Sequence, residues 1–590
     1  MIGMNTIYRV LSVAALIAAC HAASAQDLDP TVIVDRAYEG KLIEVHKPAL
    51  EMAVPDSLMR FDLDFDYSVF DRPYKGSYEF NPYLLSMKPS VSSDREGKLY
   101  LRAGAGYQLH PELDVVWSPK MRDDDFDVDV YARHRSFIGN YSEVVSGDGL
   151  VVDAADGVWK GYDLDSRAGV AMKYDWDKGM LGLDVGYLGL HQNDKLHRRG
   201  YNAVNASFDV NSKDSGLSDF VYDLSTDFRY AADDATNTSG TERNVNETNF
   251  DVGFLARKGV KEGKAFLFDA ALSLDGYKGY VDAAAADFHI KAGYVYRKGL
   301  LQADLGVKIA AYMADTTLAV FDAASKNQIL YPDVRIRLNV IPEYLAMFVS
   351  ATGGARMNSY SSILNRNHHA VLSFPGIVKT NPDWMEKEEE IFGWKMGAEV
   401  ERVTARAGFE GRIGSDFSYV IAGGYTNYGS GILDAVSVIS VPSMFFNGIY
   451  AGIEYVPYQK AFASLDWRWS SESLSSYGNI TYTDAYGSVF DEDKRCLKPA
   501  ALTGDVAFGY NYRKRVLAEL SCEFSGRRTG GHRSVTIPGY ADLGLGVEYV
   551  TSGPLSFWLH GGNLLGMAIQ RNLLYIEKGP YFTLGLSLKL

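Results

Sequence analysis

Tyr581-Phe582-Thr583-Leu584-Gly585-Leu586-Ser587-Leu588-Lys589-Leu590 alternates without a break. Phe582, Leu584, Leu586, Leu588 and Leu590 fall on one parity; Tyr581, Thr583, Gly585, Ser587 and Lys589 fall on the other. Successive side chains of a strand point to opposite faces, so this period of two builds one apolar and one polar face. Ala541 to Val550 repeats it, with Leu543, Leu545, Val547 and Tyr549 against Asp542, Gly544, Gly546 and Glu548. The pattern recurs back to Lys98 in short segments bounded by Gly, Asp, Asn or Pro. Tilted strands of about ten residues are what a bilayer needs, with the apolar face toward lipid and the polar face toward a lumen. The fold class expected is all-β: one large antiparallel transmembrane β-barrel of about 22 strands over residues 97–590.

The other end of the chain fits that setting. Met1 to Ala25 reads as a signal peptide, with Arg9 before the apolar run Val10 to Ala19 and Ala23-Ser24-Ala25 as a small-residue cleavage site. Ile17-Ala18-Ala19-Cys20 is close to a lipobox, which would instead lipidate Cys20. Residues 26–96 carry Pro30, Pro48, Pro55, Pro73, Pro82 and Pro89, a density that breaks helices and interior strands. This segment is expected to be an extended periplasmic arm or partial plug. After the signal, no apolar run reaches the ~18 residues of a membrane helix.

The links between strands supply a second signal. Turns after even-numbered strands are tight, as at Asp177-Lys178-Gly179, Lys298-Gly299, Pro342-Glu343, Lys514 and Ser552-Gly553. The long links, 136–164, 360–403, 429–446 and 472–499, all follow odd-numbered strands. Short turns on one rim and long loops on the other characterise outer-membrane barrels and place both termini in the periplasm. A soluble propeller would instead show a fixed repeat of roughly 40 residues, and none is visible.

Composition closes off other classes. The 39 Tyr, 28 Phe and 57 Gly suit aromatic girdles and glycine-rich turns, and a net charge of −15 argues against nucleic acid as a partner. No G-x-S-x-G elbow or other hydrolase constellation stands out, so no catalytic residue, cofactor or metal ligand is expected; an outer-membrane hydrolase built from scattered barrel residues is the weakest alternative. Asn367-His368-His369 lacks a third ligand at metal spacing and reads as a solvated loop, as does Met385 to Glu390. Asp123 to Asp129 lacks the glycine and terminal glutamate of a calcium loop and reads as a turn entering a strand, with Asp127 and Asp129 facing the lumen. Cys496 and Cys522 are expected to be free thiols. In strand 500–513, Thr503, Asp505 and Asn511 point opposite to Leu502, Val506 and Phe508. Such interior carboxylates would favour cations or polar solutes, or would hold an arm or an internal loop in place.

With this layout the sequence resembles large outer-membrane barrels of the TonB-dependent receptor type, in the form common in Bacteroidota. The resemblance is carried by Asn563-Leu564-Leu565-Gly566 and Lys578-Gly579-Pro580-Tyr581-Phe582 before a closing strand. It is carried also by Tyr331-Pro332-Asp333-Val334 to Gly353-Gly354 with Asn358-Ser359-Tyr360, and by Thr31-Val32-Ile33-Val34 near the mature N-terminus. It implies that Thr31, Val32, Ile33 and Val34 are the box by which such receptors pair with a periplasmic energy-coupling partner. Two features depart from the family: the arm 26–96 is too short for a complete plug domain, and the chain ends in Leu590 rather than an aromatic.

Two functions follow as expectations. One is a receptor or transporter that binds or passes a small polar solute, its lumen blocked by the arm or by loops such as 360–403, with a surface lipoprotein as a candidate lid. The other is a barrel that no longer transports and serves as a subunit of outer-membrane assembly or secretion machinery. Outer-membrane lipid is a partner in both.

Overall fold

Alternation converts into a closed wall. The computed structural model describes residues 98–590 apart from loop segments, of which 315–320, 323–328 and 371–394 are the longest. Twenty-two strands pair antiparallel in sequence order, from Lys98–Gly106 to Tyr581–Lys589. The last strand then pairs with the first, Tyr100 opposite Lys589 through Gly106 opposite Thr583. Backbone bonds between Leu99 and Leu590 (2.9 and 2.8 Å) finish the seam. Closure leaves no unpaired sheet edge, the condition for a β-structure in hydrocarbon.

Register decides which face meets lipid. Leu305, Val307 and Ile309 stand exposed on the outer wall beside Ile290 of the preceding strand, and Ile336, Leu338, Met347 and Val349 continue the belt. Near the tight turns the belt ends in outward aromatic neighbours: Tyr174 with Trp176, Phe220 with Tyr222, Phe417 with Tyr419, and Tyr510 with Tyr512. Amphipathic rings at this level mark a membrane–water boundary. Phe582, Leu584 and Leu586 face out while Thr583 and Ser587 are buried on the inner side, as the sequence pattern requires.

The wall is uneven in height. Strands at the seam are short: Leu555–Gly562, Tyr581–Lys589, Lys98–Gly106 and Glu112–Ser118. Nearly opposite each other around the cylinder rise two tall hairpins, Phe126–Ser146 with Val152–Trp176, and Phe417–Val441 with Phe446–Ser470. Both project from the rim that carries the long links.

Three expectations change here. Residues 447–457 and 460–471 form one strand, Phe446–Ser470. Pro457 sits opposite a bulge between Tyr428 and Gly431, where no ladder bond needs its missing N–H. The link 472–499 contains a strand, Leu474–Tyr486, whose outward residues include Ser476, Gly478 and Asp484 and so blur the alternation. The links 136–164 and 429–446 are largely strand, the upper parts of the two tall hairpins. One split strand and one hidden strand cancel, so the expected count of 22 holds. The tight and long rims stand as read.

Candidate functional site

The long-loop end of the lumen is roofed by the chain itself. After strand Leu345–Asn358 the chain turns into the helix Tyr360–Arg366. Ser359 caps it by accepting from the Ser362 amide at 3.2 Å. Tyr360, Ile363 and Leu364 are buried against Tyr201, Ala231, Val245 and Tyr277 on one wall and against Met396, Ala398, Ile432, Ile453 and Tyr455 on the other. The helix thus bridges two walls of the lumen through apolar packing.

Charge fixes both ends of this bridge. Glu247 is fully buried and accepts from the Ser361 amide at 3.2 and 3.1 Å, beside the positive end of the helix. Arg199, 2 % exposed, lies 3.1 Å from Asp233 and donates to the Tyr360 hydroxyl at 3.2 Å and to the carbonyls of His368 and Ala370 just beyond the helix. The Tyr360 hydroxyl in turn donates to Asp233. Burial, with Asp233 alongside, holds that phenol well above its usual value, so it stays protonated and donating. Arg366 reaches Asp434 of a tall hairpin at 3.1 Å, and Arg528 reaches the same carboxylate at 3.0 Å.

The two tall hairpins meet through side chains. Val144 of one and Val436 and Ala451 of the other join Leu497, Val535, Ile537 and Leu573 from three loops in one apolar cluster. Cys496 is buried in an adjoining cluster, and burial pushes its thiol up to about 12; it and Cys522 are both unpaired, as expected.

The loop 563–580 packs against the inner wall. Asn563, with φ of 47°, ties its base by bonds to the Met567 amide and carbonyl (3.0 and 2.9 Å), while Leu564 and Leu565 stay exposed at the rim. Arg571 contacts Glu523 at 2.8 Å, Asp542 at 2.7 Å and its own loop's Glu577. Lys578 lies 4.0 Å from the Tyr581 ring and bonds His110; burial pushes its ammonium down to about 8, against the pull of Glu577 and Glu112. His369 stacks on Tyr575 at 3.9 Å, locking this loop to the helix-bearing one, and His368 lies 3.6 Å from Asp163. Of the stretch Asn367-His368-His369, Asn367 is buried and His369 packed on Tyr575, because the helix before them is pinned to the wall, while the His368 side chain keeps contact with solvent. Among the described residues, no group of three or more His, Cys, Asp or Glu is placed to hold a metal ion.

Beneath the roof the lumen is polar. Asp127 and Asp129 alternate inward, with Ser118 donating to Asp129. Asp505 stands opposite Asn479 on one neighbour and opposite Glu523 on the other; Asp466 and Asp542 extend the same row. Five adjacent strands thus carry a carboxylate or amide at one level. The sequence pattern places Asp505 here but misses Arg571, Arg199, Asp233 and Glu247, whose partners lie far away in sequence. Thr31 to Val34 and Met385 to Glu390 lie outside the described residues.

A closed 22-strand wall with an apolar belt, aromatic boundary and polar, roofed lumen defines a large transmembrane β-barrel. Solved structures agree on the fold. The chain is similar to the siderophore receptor PirA from Acinetobacter baumannii (TM-score 0.58, 9% identity, 85% of this chain and 81% of that one). It is similar also to the iron transporter FrpB from Neisseria meningitidis (TM-score 0.59, 11% identity, 85% and 84%). A mutant of the ferric enterobactin receptor PfeA from Pseudomonas aeruginosa superposes equally well (TM-score 0.59, 10% identity, 85% and 81%). These neighbours are receptors and a transporter rather than enzymes. No family model matches the sequence, and no curated protein matches it.

Proposed function

We propose that the protein is an outer-membrane receptor or transporter for a small polar solute, closed at rest by its own loops. The observation that carries this reading is a polar lumen of receptor fold, capped by a helix whose two ends are held by buried charges. In this reading the tight turns and both termini face the periplasm, and the long-loop rim faces outward. The arm 26–96 is the closing element on the periplasmic side, and Thr31 to Val34 add as a strand to the edge of an energy-coupling partner.

Planar-bilayer conductance tests it. The intact chain should be almost silent, removal of 360–370 should give large steady currents, and removal of 26–96 should raise conductance further. Silence in all three forms would sink the reading. That same roof supports one alternative: a helix pinned by buried pairs and apolar packing on two walls is also what a permanently shut barrel in a larger complex would need. A stable stoichiometric complex after mild detergent extraction, together with silent bilayers, would select that alternative.

A further inference from the structure

The row Asp466, Asn479, Asp505, Glu523 and Asp542 carries four carboxylates, and one guanidinium sits on it. Arg571 donates to both oxygens of Glu523 (3.1 Å from Nε and 2.8 Å from Nη2) and to Asp542 (2.7 Å). Tyr540 donates to Glu523 at 2.9 Å and lies under the guanidinium, 5.5 Å from its carbon to the ring centre. A forked donor on paired carboxylates over an aromatic face is how arginine is recognised as a ligand. Here the arginine belongs to the irregular loop 563–580, whose base carries the exposed Leu564, Leu565 and Met567. Asp505, directly across from Glu523, makes no ion pair among the described residues.

From this geometry we infer that loop 563–580 is an autoinhibitory latch. Arg571 occupies a seat on the lumen wall that a guanidinium- or ammonium-bearing solute can take instead. Binding of that solute would lift the loop and undo the His369–Tyr575 stack that joins it to the helix-bearing loop. This deepens the receptor reading by giving the solute's charge and the point at which it acts. The bonds of Arg571 to Glu523 and Asp542 are replaced by bonds of the same kind, while Leu573 leaves its apolar cluster, so the opening must be driven by ligand concentration.

The test uses the full chain in detergent and chymotrypsin, with cleavage after Leu573, Leu574 and Tyr575 read by mass spectrometry apart from cleavage at the exposed Leu564, Leu565 and Met567. Cleavage of the wild-type chain should be slow and should rise about tenfold with arginine amide, well beyond the effect of sodium chloride at equal ionic strength. Arg571→Gln should be cleaved fast from the start and respond to neither, whereas Arg571→Lys should fall between. Unboiled gel migration checks that each variant is folded, and Glu523→Gln with Asp542→Asn should reproduce the fast cleavage if Arg571→Gln does not fold. Cleavage of folded Arg571→Gln at the wild-type rate would overturn the latch, as would equal responses to arginine amide and sodium chloride. Bilayers that stay silent while the proteolysis behaves as described would remove the transport reading and leave the latch standing.

Discussion

Trp558 shows how single residues shape the inner wall. It is 4 % exposed, and its indole lies against the faces of Gly104 and Gly585 on the two strands that close the seam, with the Arg102 guanidinium 4.1 Å above it. A Cβ on Gly585 would come within 2.2 Å of the indole and 2.3 Å of the Ala103 carbonyl. The backbone oxygen cannot yield, so Gly585→Ala should displace the ring and cost ~1–3 kcal/mol, read as a lower urea midpoint for the folded band on gels. Lys578 makes a second residue-level prediction. Its value is about 8 in the docked loop against 10.5 for an ordinary lysine. Between these values the docked loop holds fewer protons than the free one, so docking strengthens as pH rises through that window. Below pH 8 the ammonium is charged in both states and its burial cost is fully present. Protection of the Leu574 and Glu577 amides from hydrogen exchange, corrected for intrinsic rate, should grow by roughly 1–2 kcal/mol from pH 7.5 to 9.5 and stay flat in Lys578→Met.

At the scale of elements, the helix Tyr360–Arg366 depends on a pair it does not contain. Arg199→Met strands Asp233 in a buried site and takes away the donors to the His368 and Ala370 carbonyls. The helix segment should lose ~3–5 kcal/mol of exchange protection, and the double change Arg199→Met with Asp233→Leu should restore much of it. The tight turn Arg513-Lys514 holds two non-glycine residues at φ of 52° and 58°. Lys514→Gly should therefore stabilise the hairpin by about 0.5–1 kcal/mol in thermal unfolding, the Asn511 bond to its amide being kept. The same elements show what sequence can reveal. Period two and turn chemistry are local, so strand positions, tight turns and the inward side chains of Asp505, Asp127 and Asp129 could be read. Strand Leu474–Tyr486 escaped because lipid-level positions Ser476 and Gly478 are filled by the neighbouring Trp467, which covers Gly478 and donates to Ser476. The helix and Arg571 escaped because what holds them is contact across the lumen, which no periodicity encodes.

For the whole molecule, the outer wall is a solvent-matched surface and the inner wall is not. Leu305→Arg, on the belt, should cost ~2–4 kcal/mol of folding into vesicles. Ser225→Arg, facing the lumen beside Asp209, Asp223 and Asp227, should cost little in the same assay, and a reversed order would mean that the faces are inverted. The arch of two tall hairpins lets the roof be built from strands rather than loops alone, which explains why it carries a core of its own. The seam has a consequence for folding. Strand Lys98–Gly106 takes its second partner from Tyr581–Lys589, almost the whole described chain away. Closing so long a loop costs chain entropy that no local contact offsets, so the cylinder shuts only after the hairpins between these two strands have formed.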